Sequence, residues 1–100
     1  MKTMEELDKE QEEFNRIVDN NINGEKLRKS GKTSEAKELL EENIKLKAET
    51  PATYRNLAII YRIEKDKENE IRVLKYGLKY VNSRNRHYKW IKERLDKLTK

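Results

Sequence analysis

The stretch Pro51-Ala52-Thr53-Tyr54-Arg55-Asn56-Leu57-Ala58-Ile59-Ile60-Tyr61 sets Tyr54, Leu57, Ala58 and Tyr61 at the i, i+3, i+4, i+7 spacing that gathers side chains on one face of a helix. Pro51 suits the first helical turn, where its missing N–H leaves nothing unpaired, and Thr50 before it is a capping residue able to accept from the first free amides. The pattern predicts a helix from Pro51 to about Ile63. Glu64-Lys65-Asp66 then interrupts it, and a second stripe of Ile71, Leu74, Leu78 and Val81 follows. Amphipathic helices joined by so short a turn fold back on one another, so residues 51–84 read as an antiparallel helix pair.

The arrangement recurs at an offset of thirty-four residues. Gly24 aligns with Ala58, Leu27 with Tyr61 and Leu95, Leu39 with Val73, Leu40 with Leu74, Ile44 with Leu78, Tyr54 with Tyr88 and Leu57 with Ile91, and the turn Ser30-Gly31-Lys32 falls on Glu64-Lys65-Asp66. Gly31 closes the helix before it through a left-handed conformation, Thr33 or Ser34 caps the next, and that helix, with Ala36, Leu39, Leu40 and Ile44, runs to about Ala48. Upstream, residues 3–18 carry Met4, Leu7, Phe14, Ile17 and Val18 near one face, with Gln11 interrupting the stripe. Asp19 to Gly24 is poor in helix formers, yet nothing in it forbids a continuous helix to Lys29, and one is expected. Downstream, Asn82-Ser83 breaks the chain, Ser83 caps, and a last helix presents Tyr88, Ile91, Leu95 and Leu98.

A period of this length, with Tyr54, Leu57-Ala58 and Tyr61 on the first helix and Leu74 and Gly77 on the second, resembles the tetratricopeptide repeat family. The resemblance implies an all-α fold: a short right-handed α-solenoid of antiparallel helix pairs, with repeat one at 17–50, repeat two at 51–84, a capping helix at 85–100 and an N-terminal helical extension at 3–16, within a single domain spanning 1–100. Three departures stand out. Glu70 occupies a position where the family has a small Ala, so the helix contact must open or the carboxylate must reach the rim; Asn20 and Asn23 replace an aromatic and a Leu. Each repeat is buried only by its neighbours, so the terminal helices should act as caps or as a dimer interface.

Composition agrees with a helical surface. Hydrophobic residues make up 34% and charged residues 43%, which demands that the apolar ones lie in stripes if the chain is to fold. Without Cys there is no disulfide framework and no thiolate metal site, and the single histidine, His87, cannot assemble a triad or an imidazole metal pair. Gly31-Lys32-Thr33 is not a phosphate loop, which would need Gly where Lys26 stands and a strand before it. No catalytic, cofactor or metal site is therefore expected. No segment has the length of a membrane span, the first residues lack the apolar core of a signal peptide, and a cytoplasmic location is the default expectation.

The net charge of +5 raises nucleic acid as a partner, but acidic and basic residues are interspersed except in the second half. The resemblance implies that the leading helix of each pair lines a concave binding face. On it would stand Asn21, Glu25 and Arg28 from the first unit, Arg55, Asn56, Ile59, Arg62 and Ile63 from the second, and Arg86, Lys89, Trp90 and Glu93 from the last helix. Arginine holds carboxylates in bidentate fashion and Trp supplies rigid contact area. The expected function is accordingly a protein–protein interaction module for an acidic, partly apolar peptide or helix. The alternative is a structural protein that forms a homodimer through its N-terminal helix. A third reading, nucleic-acid binding by the basic cluster among Tyr76, Tyr80, Tyr88 and Trp90, is disfavoured because most of those aromatics belong to the apolar stripes.

Overall fold

The computed structural model describes residues 1–100 and holds five helices, α1 (Met4–Lys29), α2 (Thr33–Lys45), α3 (Pro51–Ile63), α4 (Lys67–Tyr80) and α5 (Arg86–Thr99), with no strand. α1 is continuous across its poor helix formers because those residues make tertiary contacts. The Asn20 amide donates to Asn43 Oδ1 at 2.9 Å and to Glu42 Oε1 at 2.8 Å. A Cβ on Gly24 would come within 2.8 Å of the Leu40 side chain, so glycine here lets α1 and α2 approach. Tertiary packing of this kind, rather than propensity, carries most helices.

The turn geometry repeats with the sequence. In the first pair Ser30 donates to Lys26, Gly31 to Arg28, Lys32 to Leu27 and Ala36 to Lys32; in the second Glu64 donates to Ile60, Lys65 to Arg62, Asp66 to Tyr61 and Glu70 to Asp66, every bond thirty-four positions on. Gly31 and Lys65 both take the left-handed conformation that lets the trailing amides reach back to the last carbonyls. Lys47 does the same after α2, which is why that helix stops at Lys45 rather than continuing to Ala48.

Cross-helix contacts run in opposite senses along each pair, Gly24–Leu40 and Arg16–Glu42 between α1 and α2, and Tyr54–Gly77 between α3 and α4, whose Tyr61 and Arg72 both reach Glu41 of α2. α3 is central, and its Tyr54, Leu57, Ala58 and Ile60 are buried against Leu40, Val73, Leu74 and Ile91 from α2, α4 and α5. α1 touches α3, and α3 touches α5, so the odd-numbered helices are also neighbours.

Four local expectations are corrected. Lys32 precedes α2 with no side-chain cap, and Thr33 is already helical. Thr50 does precede α3, but its hydroxyl makes no capping bond; it accepts from Asn21 Nδ2 at 2.9 Å. Asn85, not Ser83, caps α5, accepting from the His87 amide at 2.9 Å. Glu70 neither opens the α3–α4 contact nor reaches the rim, because it is buried under Arg94 of α5.

One part of the chain has no partner. Residues 1–12 are exposed throughout, so the first turns of α1 project past α2 and past the start of α3 as an arm. No helix is long and apolar enough to cross a membrane.

Candidate binding face

The residues expected on the binding face come from α1, α3 and α5, and contacts among these helices order many of them. Arg28 Nε donates to Asn56 Oδ1 at 2.9 Å, joining α1 to α3. The Arg55 guanidinium lies over the Trp90 ring, 5.9 Å from its centroid, joining α3 to α5. Such a contact helps to hold the indole in place, and Arg55 itself stays exposed to solvent.

The polar residues of the set divide. Asn56 is buried and also donates to the Ala52 carbonyl, so its side chain is committed to the fold. Asn21 is committed likewise, its Oδ1 accepting from Thr53 Oγ1 at 2.6 Å while its amide serves Thr50. Glu25 is exposed beside Lys29, and Lys89 beside Glu93, at 3.6 and 3.8 Å. Arg55, Arg62 and Arg86 are exposed, Ile59 and Trp90 are half-buried, and Ile63 stands 71% exposed.

Sorting the arginines by partner distinguishes this face. Arg16, Arg72 and Arg94 each hold a carboxylate across a helix interface, Glu42, Glu41 and Glu70 respectively. Glu42 is held below the usual carboxylate range by its hydrogen bonds from Arg16 and Asn20. Arg28, Arg55, Arg62, Arg84 and Arg86 have no carboxylate within 4.0 Å, and all but Arg84 belong to the expected face. Arg55, Ile59, Arg62 and Ile63 follow one stripe of α3, giving alternating cationic and apolar contact.

Depth is small. The larger clefts open elsewhere, one beneath the α1 arm beside Phe14, Pro51 and Asn85, another along α2 at Lys37, Glu41 and Tyr61. A shallow, charged, part-apolar surface suits a peptide or helix rather than a small molecule.

Sequence reasoning missed two features. A buried polar cluster links α1, α2 and α3, in which the Asn43 amide lies 3.0 Å from the Ile17 carbonyl, 3.0 Å from Asn21 Oδ1 and 3.1 Å from Thr53 Oγ1. The alignment of Asn43 with Gly77 at the repeat offset was its only sequence signal. On α4, Tyr76 and Tyr80 stack with parallel rings 6.1 Å apart, and Tyr76 is exposed rather than part of the core stripe. Comparison of the chain with family models, with curated proteins and with solved structures gives no match.

Proposed function

We propose that the chain is a non-catalytic protein-interaction module that holds an acidic, partly apolar peptide or helix on the shared face of α1, α3 and α5. The observation that carries this reading is the set of arginines without carboxylates, Arg55, Arg62 and Arg86, beside exposed Ile63 and the oriented Trp90. The turn hydrogen bonds repeating at thirty-four residues support a stack of tetratricopeptide-like pairs, and the contacts among odd-numbered helices support their sharing one surface. The cations supply charge-assisted bonds and the apolar residues supply burial.

The test is a titration of the native chain with a labelled helical peptide bearing Glu on one side and Leu and Phe on the other. Exposed ion pairs contribute about 0.2–1 kcal/mol each, and reversing two cations replaces attraction by repulsion, so Arg55→Glu with Arg62→Glu weakens binding by about ten- to a hundred-fold. Unchanged affinity in that variant removes the proposed face.

A second reading has its own observation. The Tyr76–Tyr80 stack lies among Lys75 and Lys79, with Lys79 5.3 Å from the Tyr80 ring centre, and such surfaces bind single-stranded nucleic acid. Binding of an oligonucleotide that Tyr76→Ala weakens, beyond what salt alone does, supports it; binding that depends only on salt counts against it.

A further inference from the structure

We propose that the occupant of this face is a second copy of the chain: the N-terminal arm of α1 from one copy lies on the α3–α5 surface of another. The inference rests on the binding-face reading above and names its partner. Residues 4–14, Met-Glu-Glu-Leu-Asp-Lys-Glu-Gln-Glu-Glu-Phe, contain six carboxylates and one Lys, a net charge of −5 in a chain whose total is +5. Along them Met4, Leu7 and Phe14 are 76%, 49% and 56% exposed on one stripe, with Gln11 between at heptad spacing. This is an acidic, partly apolar helix, the chemistry the face is built to hold.

The ion-pair inventory matches on both sides. Glu5, Glu6, Asp8, Glu12 and Glu13 have no cation within 4.0 Å, whereas Arg55, Arg62 and Arg86 have no carboxylate. The arm cannot reach the α3 part of its own face, although its Glu10 and Glu13 share a cleft with Asn85 at the start of α5. Asn21 meets Thr53 and Arg28 meets Asn56, so α1 and α3 point the same way, and the arm continues the α1 axis beyond Pro51, away from Arg62 and Ile63. Pairing of arm with arm is disfavoured, since two rods of −5 would lie within about one Debye length, ~10 Å at 0.1 M salt. Dimensions agree: eleven residues of helix span about 16 Å, and the stripe from Arg55 to Ile63 about 12 Å. Reciprocal exchange gives each copy one arm and one occupied face, and closes as a two-fold dimer.

Charge exchange tests this. One variant reverses the face, Arg55→Glu with Arg62→Glu; another reverses the arm, Asp8→Lys with Glu12→Lys; all four positions are exposed, and circular dichroism is the check that each variant folds. Sedimentation of the native chain should show dimers at about 0.05 M salt that weaken at least ten-fold by about 0.5 M. Each variant alone should be monomeric, and an equimolar mixture of the two should dimerise again, because acidic arm then meets basic face and basic arm meets acidic face. A native chain that stays monomeric overturns the inference. So does association that strengthens with salt, which would mean apolar pairing of arms, or loss of dimer in Lys75→Glu with Lys79→Glu but not in the Arg55, Arg62 variant. A monomeric chain that still binds the acidic peptide leaves the binding face standing, whereas peptide binding indifferent to Arg55 and Arg62 removes both.

Discussion

Arg94 of α5 donates to Glu70 of α4 through Nε at 2.8 Å and through Nη2 at 3.4 Å, and the Glu70 carboxylate it reaches is only 3% exposed. The two partners are unequal, because the Arg94 side chain retains 21% exposure and can turn to water. Removing the cation strands a buried charge, which costs about 3–5 kcal/mol; removing the carboxylate does not. Arg94→Ala should therefore be strongly destabilising in urea denaturation, while Glu70→Ala should cost about 1 kcal/mol or less, since Ala36 already fills the equivalent position with α1 and α2 tightly packed. Equal losses in the two variants would contradict this account.

Asn43 is fully buried and faces Asn20, Asn21, Thr53 and the Ile17 carbonyl. No buried side-chain polar atom in the chain lacks a partner, so truncating this hub leaves several groups unsatisfied at once. Each orphaned group costs about 1–3 kcal/mol, and Asn43→Ala should lower stability by about 3 kcal/mol, a drop in Tm of over about 10 °C for a domain this small. Asn43→Leu, with the same branching but a bulkier side chain, should be no milder, because it restores none of the hydrogen bonds and crowds a fully buried site.

Lys65 and Gly31 occupy the same place in two copies of one turn, at φ 59° and 82°. A side chain in this conformation costs about 1 kcal/mol that glycine avoids. Lys65→Gly should raise stability by about 0.5–1 kcal/mol and Gly31→Ala should lower it by about 1 kcal/mol, both read from thermal melts. Nothing lies within 4 Å of a Cβ at Gly31, so backbone strain alone would be responsible.

These variants also mark what the sequence made legible. Helices and turns were visible because the apolar stripes and their breaks recur, and periodicity needs no knowledge of which residues meet. Gly31 ended its helix as its residue type requires, whereas Lys47 and Lys65 adopt the same backbone with no signal in their side chains. Glu70 showed only as a departure, since the cation that tolerates it stands on another helix. Asn21 and Asn56 looked like ligand-facing amides; their partners Thr50, Thr53 and Arg28 lie across helix interfaces that no local pattern encodes. Polar complementarity of this sort has no period.

Tyr61 is buried and donates its hydroxyl proton to Glu41, and its pKa is pushed up to about 12 by burial first and by Glu41 second. Burial pushes Tyr54 up as well. A raised native pKa means that the unfolded chain loses the proton first. Stability is thus fully present below about pH 10, the unfolded value, and falls as pH rises towards 12, by an amount of order 2 kcal/mol from Tyr61. Tyr61→Phe should make that alkaline limb shallower in melts taken between pH 9 and 12, with Tyr54 keeping the remainder, and leave the slope near neutrality unchanged.

Trp90 is the only tryptophan, so its fluorescence reports on one place, the junction of α5 with Arg55 of α3. The ring is half-buried, and the apolar stripe of the arm laid across the face would exclude the remaining water and shift emission to the blue. In the native chain at low salt the spectrum should move with protein concentration and return when salt is raised. The Asp8→Lys, Glu12→Lys variant is the discriminating control, because its changes lie on the arm and leave every neighbour of Trp90 within its own chain intact. Its spectrum should stay fixed at all concentrations, and should shift once the Arg62→Glu chain, whose acidic arm is unchanged, is added. A spectrum in the arm variant that tracks concentration as the native one does would place any association away from this face.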